Sequence, residues 1–238
     1  MLVEQVPRPV RLTSGACSER GRRTHNADAT SAYRDPASGG LAYAVADGIG
    51  DSETAAQAAR RAADAAAREA AHLGAGRAVA AARAALEAWL PDDERRQAGD
   101  AVLVTAAPRL GGGFTVAWAG DARAYFWDGT TLIRLTTDQT VAEYFRGHGL
   151  TPTPRMEHVV TNSVRLSKPT TIGLAHAPRG PGRLVLTTDG VHGRLSHEGL
   201  RQVVSGAGDT GTTAALLVAT ALRAGGTDNA TALVVDVT

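Results

Sequence analysis

Between Ala101 and Leu135 the chain offers four strand-like segments, Ala101 to Ala107, Phe114 to Ala119, Ala122 to Trp127 and Thr131 to Leu135, with nothing helical between them. A parallel doubly wound sheet needs a crossover helix between nearly all of its strands, so this stretch excludes one. The separators RLGGG, GD and DG are turn-forming, and Asp-Gly between strands is a strong hairpin signal. The spacing predicts an antiparallel meander.

Earlier strand-like runs lie at Val10 to Cys17, Ala27 to Tyr33 and Leu41 to Ala46, the last two joined by the loop RDPASGG and read as a hairpin. From Ser52 the pattern becomes alanine-rich. Asp51 or Ser52 can cap a helix there, and Gly74 can end it. A second helix, Arg77 to Leu90, stops at Pro91 and lies antiparallel to the first. The polar loop PDDERRQAGD leads into the meander. Beyond it a helical piece is expected at Val141 to His148, an irregular Pro-rich segment at Thr151 to His158, and another short helix around Val159 to Leu166. The branched run GRLVLTTDG reads as a strand ending in Asp189 and Gly190. Helices at His197 to Val204 and Thr212 to Ala224 precede a last strand, Ala230 to Val237. Hairpin strands with helices in two batches define an α+β layered fold.

At 238 residues with 43% hydrophobic content, the chain can bury one core, so a single domain over residues 1–238 is expected, with residues 1–8 a disordered N-terminal segment. No stretch reaches the roughly 18 uncharged apolar residues of a membrane span, and the N-terminus lacks a secretory core. The reading is a soluble cytoplasmic protein. Cys17, the only cysteine, excludes an internal disulfide and a thiol-only metal site. Charges nearly balance at +1, and the arginines are scattered, which argues against a nucleic-acid partner.

Four aspartates share a local grammar. Asp47 (VADG), Asp121 (AGDAR), Asp189 (TTDG) and Asp228 (GTDNA) each sit at the boundary of an apolar strand beside a small or polar residue. One such residue is an ordinary turn aspartate; four gathered at a sheet rim would repel one another unless a cation lay between them. Hard oxygen ligands without thiolates suit Mg²⁺ or Mn²⁺. A glycine directly after the ligand lets its own carbonyl and water approach.

The order of these motifs resembles the type 2C metal-dependent protein serine/threonine phosphatases, over nearly the whole chain from Thr13 to Val237. GRRTHNADA resembles the family's Arg-x-x-Asn-x-Asp motif, VADGIG its metal signature, AGDARAYFW its Gly-Asp-Ser-Arg-Ala-Tyr stretch, RLTTDQT its Leu-Thr-x-Asp-His segment, LTTDGV its Ser-Asp-Gly motif, and GTDNATALVV its closing Asp-Asn motif. The resemblance implies a four-layer α-β-β-α sandwich of two central antiparallel sheets flanked by helices on both outer faces. It implies that Asp47 bridges two ions, with the Gly48 carbonyl on one and Asp189 and Asp228 on the other, and that Asp121 helps hold a third. Arg23, rather than its neighbour Arg22, matches the substrate-phosphate clamp, a task suited to a guanidinium fork. Asp28 orients metal-bound waters, with Asn26 and Asn229 in support. The implied activity is hydrolysis of phosphoserine and phosphothreonine in proteins by a metal-activated water at a binuclear Mn²⁺ or Mg²⁺ centre, the partners being phosphorylated proteins, a serine/threonine kinase or its targets.

The chain also departs from the family pattern. After VADGIG, Asp51 and Ser52 run straight into a helix where bacterial members continue with Gly and His. Ala27 replaces the acidic residue before Asp28, and Gly193 stands where many members carry an aspartate that would partner Asp121, so two ions are expected. No histidine follows Gly48; His25, His148, His158 and His192 are candidate proton donors, with metal-bound water preferred. The segment 147–168 corresponds to a flap in bacterial members. These departures define the rival reading, a catalytically weakened relative that binds phosphorylated partners or regulates a kinase.

Overall fold

The strand Leu41–Gly48 alternates small residues, Ala42, Ala44 and Ala46, with the larger Tyr43 and Val45. Successive side chains of a strand point to opposite faces, so one face is flat and the other bulky. In the computed structural model, which describes residues 11–89 and 98–238, the alanine face packs beneath helices and the bulky face meets a second sheet.

That pattern repeats through the molecule. Strands β1 (Leu12–Glu19), β2 (Asp28–Arg34), β3 (Leu41–Gly48), β4 (Ala101–Pro108), β5 (Phe114–Ala119), β6 (Arg123–Trp127), β7 (Leu132–Arg134), β8 (Gly173–His176), β9 (Gly182–Thr187) and β10 (Ala230–Val237) form two sheets. One has the order β2-β3-β4-β5-β8 and the other β1-β10-β9-β6-β7. Every pairing is antiparallel. Helices α1 (Glu53–Leu73) and α2 (Ala78–Trp89) cover the first sheet. Helix α3 (Val141–Gly147) lies in the connection before β8. The short α4 (Asp189–His192), with α5 (His197–Val204) and α6 (Thr210–Arg223), covers the second sheet. The result is the expected four-layer α-β-β-α sandwich.

The layers differ in grain. Ten buried alanines on α1, from Ala55 to Ala71, bring the helix close to the alanine face of β3. Between the sheets the filling is larger, with Phe114, Phe126, Leu184, Leu186, Val235 and Val104 buried together. Each such side chain contributes about 1.5–3 kcal/mol of burial, so the inter-sheet layer carries more stabilisation per residue than the alanine layer.

Two expectations are corrected. The meander over residues 101–135 is divided: β4 and β5 pair in one sheet, whereas β6 and β7 belong to the other. The Gly-Asp step between them is a crossing, not a hairpin, and Gly120 makes it with φ of 100°, a conformation that favours glycine. The short helix expected around Val159 to Leu166 is absent; Val160 instead forms an isolated bridge to Thr140, and the chain continues as turns. The carboxylate of Asp100, which takes Ser163 Oγ and Arg165 N, holds that segment in place of helical bonds. Segment 1–8, Val10, and the stop at Leu90 and Pro91 with the loop up to residue 97 lie outside the described residues.

Candidate active site

The sheet crossing at Gly120 has a functional consequence, because it delivers Asp121 to the rim where β2, β3, β9 and β10 also end. Asp28 begins β2, and its register partner is Asp47 near the end of β3. Thr187 ends β9, with Asp189 two residues on, while Asp228 lies two residues before the start of β10. Both Asp-Gly pairs are sterically required. A Cβ on Gly48 would lie 2.3 Å from the Ala55 carbonyl oxygen, and one on Gly190 would lie 1.9 Å from that of Asn229. The glycines therefore let strand ends and helices close around the carboxylates.

A hydrogen-bonded frame holds the rim. Thr188 Oγ1 donates to Asp28 Oδ2 at 2.8 Å, spanning from one sheet to the other, and accepts from Thr231 N at 3.1 Å. Asn229 Oδ1 accepts from Ala27 N at 2.8 Å, while its amide donates to the carbonyls of Arg20 and His25. Asn26 donates to Ser18 Oγ and accepts from Asp28 N. Asn26 and Asn229 thus tie the β1–β2 loop to the strand ends around it. Thr188 was not anticipated, although it adjoins Asp189 in the same motif.

The electrostatics are those of an over-filled acidic pocket. Burial pushes the Asp28 carboxyl up to about 7, offset by its threonine hydrogen bonds and reinforced by Asp189 and Asp228. Asp47 is raised well above the carboxylate range by desolvation, then by Asp28, Asp189, Asp121 and Asp228. Asp121 is pushed up to about 7 by burial, then by Asp189 and Asp138, with Arg123 opposing. Asp189 is raised by burial and then by Asp228. Asp47, Asp189 and Asp228 are half-buried and open to the cleft, whereas Asp28 and Asp121 are buried behind them.

Two basic side chains stand at this pocket. Arg23 Nη2 lies 2.6 Å from Asp228 Oδ2, and His158 Nδ1 lies 3.5 Å from Asp189 Oδ2. His158 is thus the candidate histidine that reaches a carboxylate of the cluster; His25 instead faces Asp51 at 3.5 Å, and His192 is buried against Thr187 Oγ1 at 2.9 Å. Arg123 makes a two-pronged pair with Asp138, which Arg134 also joins, placing a positive charge behind Asp121.

Among the described residues, no three His, Cys, Asp or Glu side chains stand as a ready-made chelating set. Sparse oxygen ligands fit ions that keep several of their waters, as Mg²⁺ does. Asp28 Oδ1, buried and without a hydrogen-bond partner, is an acceptor awaiting such a water. The residues therefore fit a hydrated divalent centre. They fit a third ion less well: Gly193 offers no ligand, and a Cβ there would lie 2.7 Å from the Asp189 carbonyl oxygen.

A family model for protein phosphatase 2C matches residues 17–222. The catalytic domain of the serine/threonine phosphatase PstP in complex with two manganese ions is 25% identical, with a TM-score of 0.78 over 97% of this chain and 100% of that one. The PPM Ser-Thr phosphatase MsPP from Mycobacterium smegmatis, in complex with cacodylate, is also 25% identical, with a TM-score of 0.77 over 94% and 97%. Stp1 from Staphylococcus aureus, at 16% identity and a TM-score of 0.80 over 96% of each chain, shares the fold. No curated protein matches the chain significantly. The sandwich is that of a phosphatase, with acidic side chains gathered at its rim. The chain belongs to the protein phosphatase 2C family, the metal-dependent protein serine/threonine phosphatases. Among the described residues no helix is long and apolar enough to cross a membrane.

Proposed function

We propose that this phosphatase works at the rim cleft, with Asp47, the Gly48 carbonyl, Asp189 and Asp228 as ligands of two Mn²⁺ or Mg²⁺ ions and Arg23 as the phosphate clamp. The observation that carries the reading is the convergence on Asp47 of Asp28, Asp121, Asp189 and Asp228, each raising its proton affinity. Carboxylates so arranged are costly to ionise without a cation.

The bound ions would supply an activated water and positive charge for the phosphoryl group. The protein's own residues then divide the remaining work. Asp28, held by Thr188, presents its unpartnered oxygen to orient water. Arg23 is 43% exposed at its side chain, and so is free to turn its fork from Asp228 to two phosphate oxygens. Asp121, backed by Arg123 and Asp138, would help hold a third, weaker ion. The partners are phosphorylated proteins; a serine/threonine kinase or its targets are proposed among them, in the cytoplasm, where an unpaired cysteine such as Cys17 stays reduced.

The test is hydrolysis of p-nitrophenyl phosphate and of a phosphothreonine peptide by the purified chain. Turnover is expected with added Mn²⁺ or Mg²⁺ and none in excess chelator. Turnover that persists in chelator, or tight Mn²⁺ binding without turnover, would overturn the reading.

A further inference from the structure

Asp51 stands at the turn between β3 and α1, where it is available to cap the helix, yet the cap is Ser52, whose Oγ accepts from Ala55 N at 3.1 Å. The Asp51 carboxylate is committed elsewhere. Its Oδ2 accepts from Thr24 N at 2.9 Å and its Oδ1 from His25 N at 2.8 Å, so both oxygens grip consecutive amides of the β1–β2 loop. Those bonds hold its proton affinity down to about 2.

Arg23 lies directly before the gripped pair. On its other side, Arg22 N donates to the Thr227 carbonyl at 2.9 Å. Elsewhere in the loop Asn229 holds Arg20, His25 and Ala27, Asn26 holds Ser18, and the Arg20 guanidinium donates to the Thr24 carbonyl at 3.2 Å. Asp51 at the Thr24 and His25 amides, together with Arg20 at the Thr24 carbonyl, fixes the backbone on the C-terminal side of Arg23, and Asp51 also attracts its guanidinium. A long, half-exposed side chain has many rotamers, and fixing the backbone beneath it restricts where the fork can reach.

We propose that Asp51 is a positioning residue for phosphate binding: by holding the Thr24–His25 amides it aims Arg23 into the cleft. The proposal rests on the reading of Arg23 as the phosphate clamp. It gives a role to a residue that the phosphatase reading leaves without one, and it ties the start of α1 to the substrate-binding loop.

The experiment is a double-mutant cycle on the full chain at saturating Mn²⁺, reading KM for p-nitrophenyl phosphate and the inhibition constant of inorganic phosphate. Asp51→Ala is expected to weaken both by about 10-fold, the scale of lost outer-sphere partners, with kcat and Mn²⁺ dependence little changed. Arg23→Ala is expected to weaken them at least as much, and the double variant no further than Arg23→Ala. Asp51→Asn, which keeps one acceptor but sets an NH₂ against an amide, should fall between. If Asp51→Ala loses its cooperative melt, the cycle is run with Asp51→Asn. Wild-type constants in the folded Asp51 variant, or effects that multiply in the double variant, overturn the positioning role alone. Unchanged constants in Arg23→Ala overturn the clamp reading and with it this one.

Discussion

Asp28 and Asp47 are register partners across the β2–β3 pair, so two carboxylates stand opposite one another in the same sheet. Like charges in that relation destabilise a sheet, and burial raises the proton affinity of both. The arrangement is a cost to the metal-free fold that a bound cation would remove. Asp47→Asn is therefore expected to stabilise the metal-free protein by up to about 1 kcal/mol. The same change should cut Mn²⁺-dependent turnover by at least about 100-fold, the scale of losing one electrostatic partner of the reaction. Chemical denaturation in chelator and steady-state kinetics in Mn²⁺ check the two halves; a destabilised variant would mean that the pair is not repulsive.

The acidic cluster also sets a pH dependence. Asp28, Asp121, Asp47 and Asp189 hold their protons more tightly folded than unfolded. As pH rises from the unfolded carboxylate range near about 4, the unfolded chain loses protons first, so the stability of the metal-free protein falls until the folded groups ionise, for Asp28 and Asp121 at about 7. Bound cations favour the ionised forms. The rise in melting temperature on adding Mn²⁺ should thus grow between pH about 5.5 and about 7.5, with proton release detectable by calorimetry in several buffers. A metal effect independent of pH would contradict the assignment.

His192 gives an opposite slope. It is buried, and desolvation followed by the charges of Arg123 and Arg134 holds its proton affinity well below the ordinary value. Below the unfolded histidine range near about 6.5, the unfolded chain takes a proton that the folded chain refuses, and stability is lost as pH falls. His192→Gln should be less stable at neutral pH and show a weaker loss between pH about 7 and about 5. Melting curves across that range, compared with wild type, decide it.

The two packing layers respond differently to volume. Ala62 is fully buried on α1 among the alanines of the first sheet, so Ala62→Leu should cost about 1–3 kcal/mol through overpacking. Leu184→Ala, between the sheets, should cost about 2–5 kcal/mol through a cavity. Urea denaturation measures both, and a neutral Ala62→Leu would show that the helix layer is loosely packed.

Much of this was legible from local pattern. The last strand runs from Ala230 to Val237 as read, and α1 has the cap and stop that Ser52 and Gly74 suggest. What was not legible was non-local. The division of β5 and β6 between sheets depends on which partners each strand finds across the core, while the Gly-Asp step alone reads as a hairpin. The edge strand Gly173–His176 was missed because GLAH lacks β-branched residues and pairs only with β5. The helix read over Val159 to Leu166 lost to side-chain ties at Asp100. In the site, aspartates beside glycines announced themselves through motif order. Thr188, His158 and Asp51 act on residues far away in the chain, so only the fold reveals their partners.

The most direct test is anomalous scattering at the manganese edge from crystals grown with Mn²⁺ at a concentration that saturates turnover. Two peaks are expected in the rim cleft, about 3.5–4 Å apart, with Asp47 between them, Gly48 O at one and Asp189 and Asp228 at the other. Peaks that avoid these carboxylates, or an empty cleft under those conditions, would contradict the account.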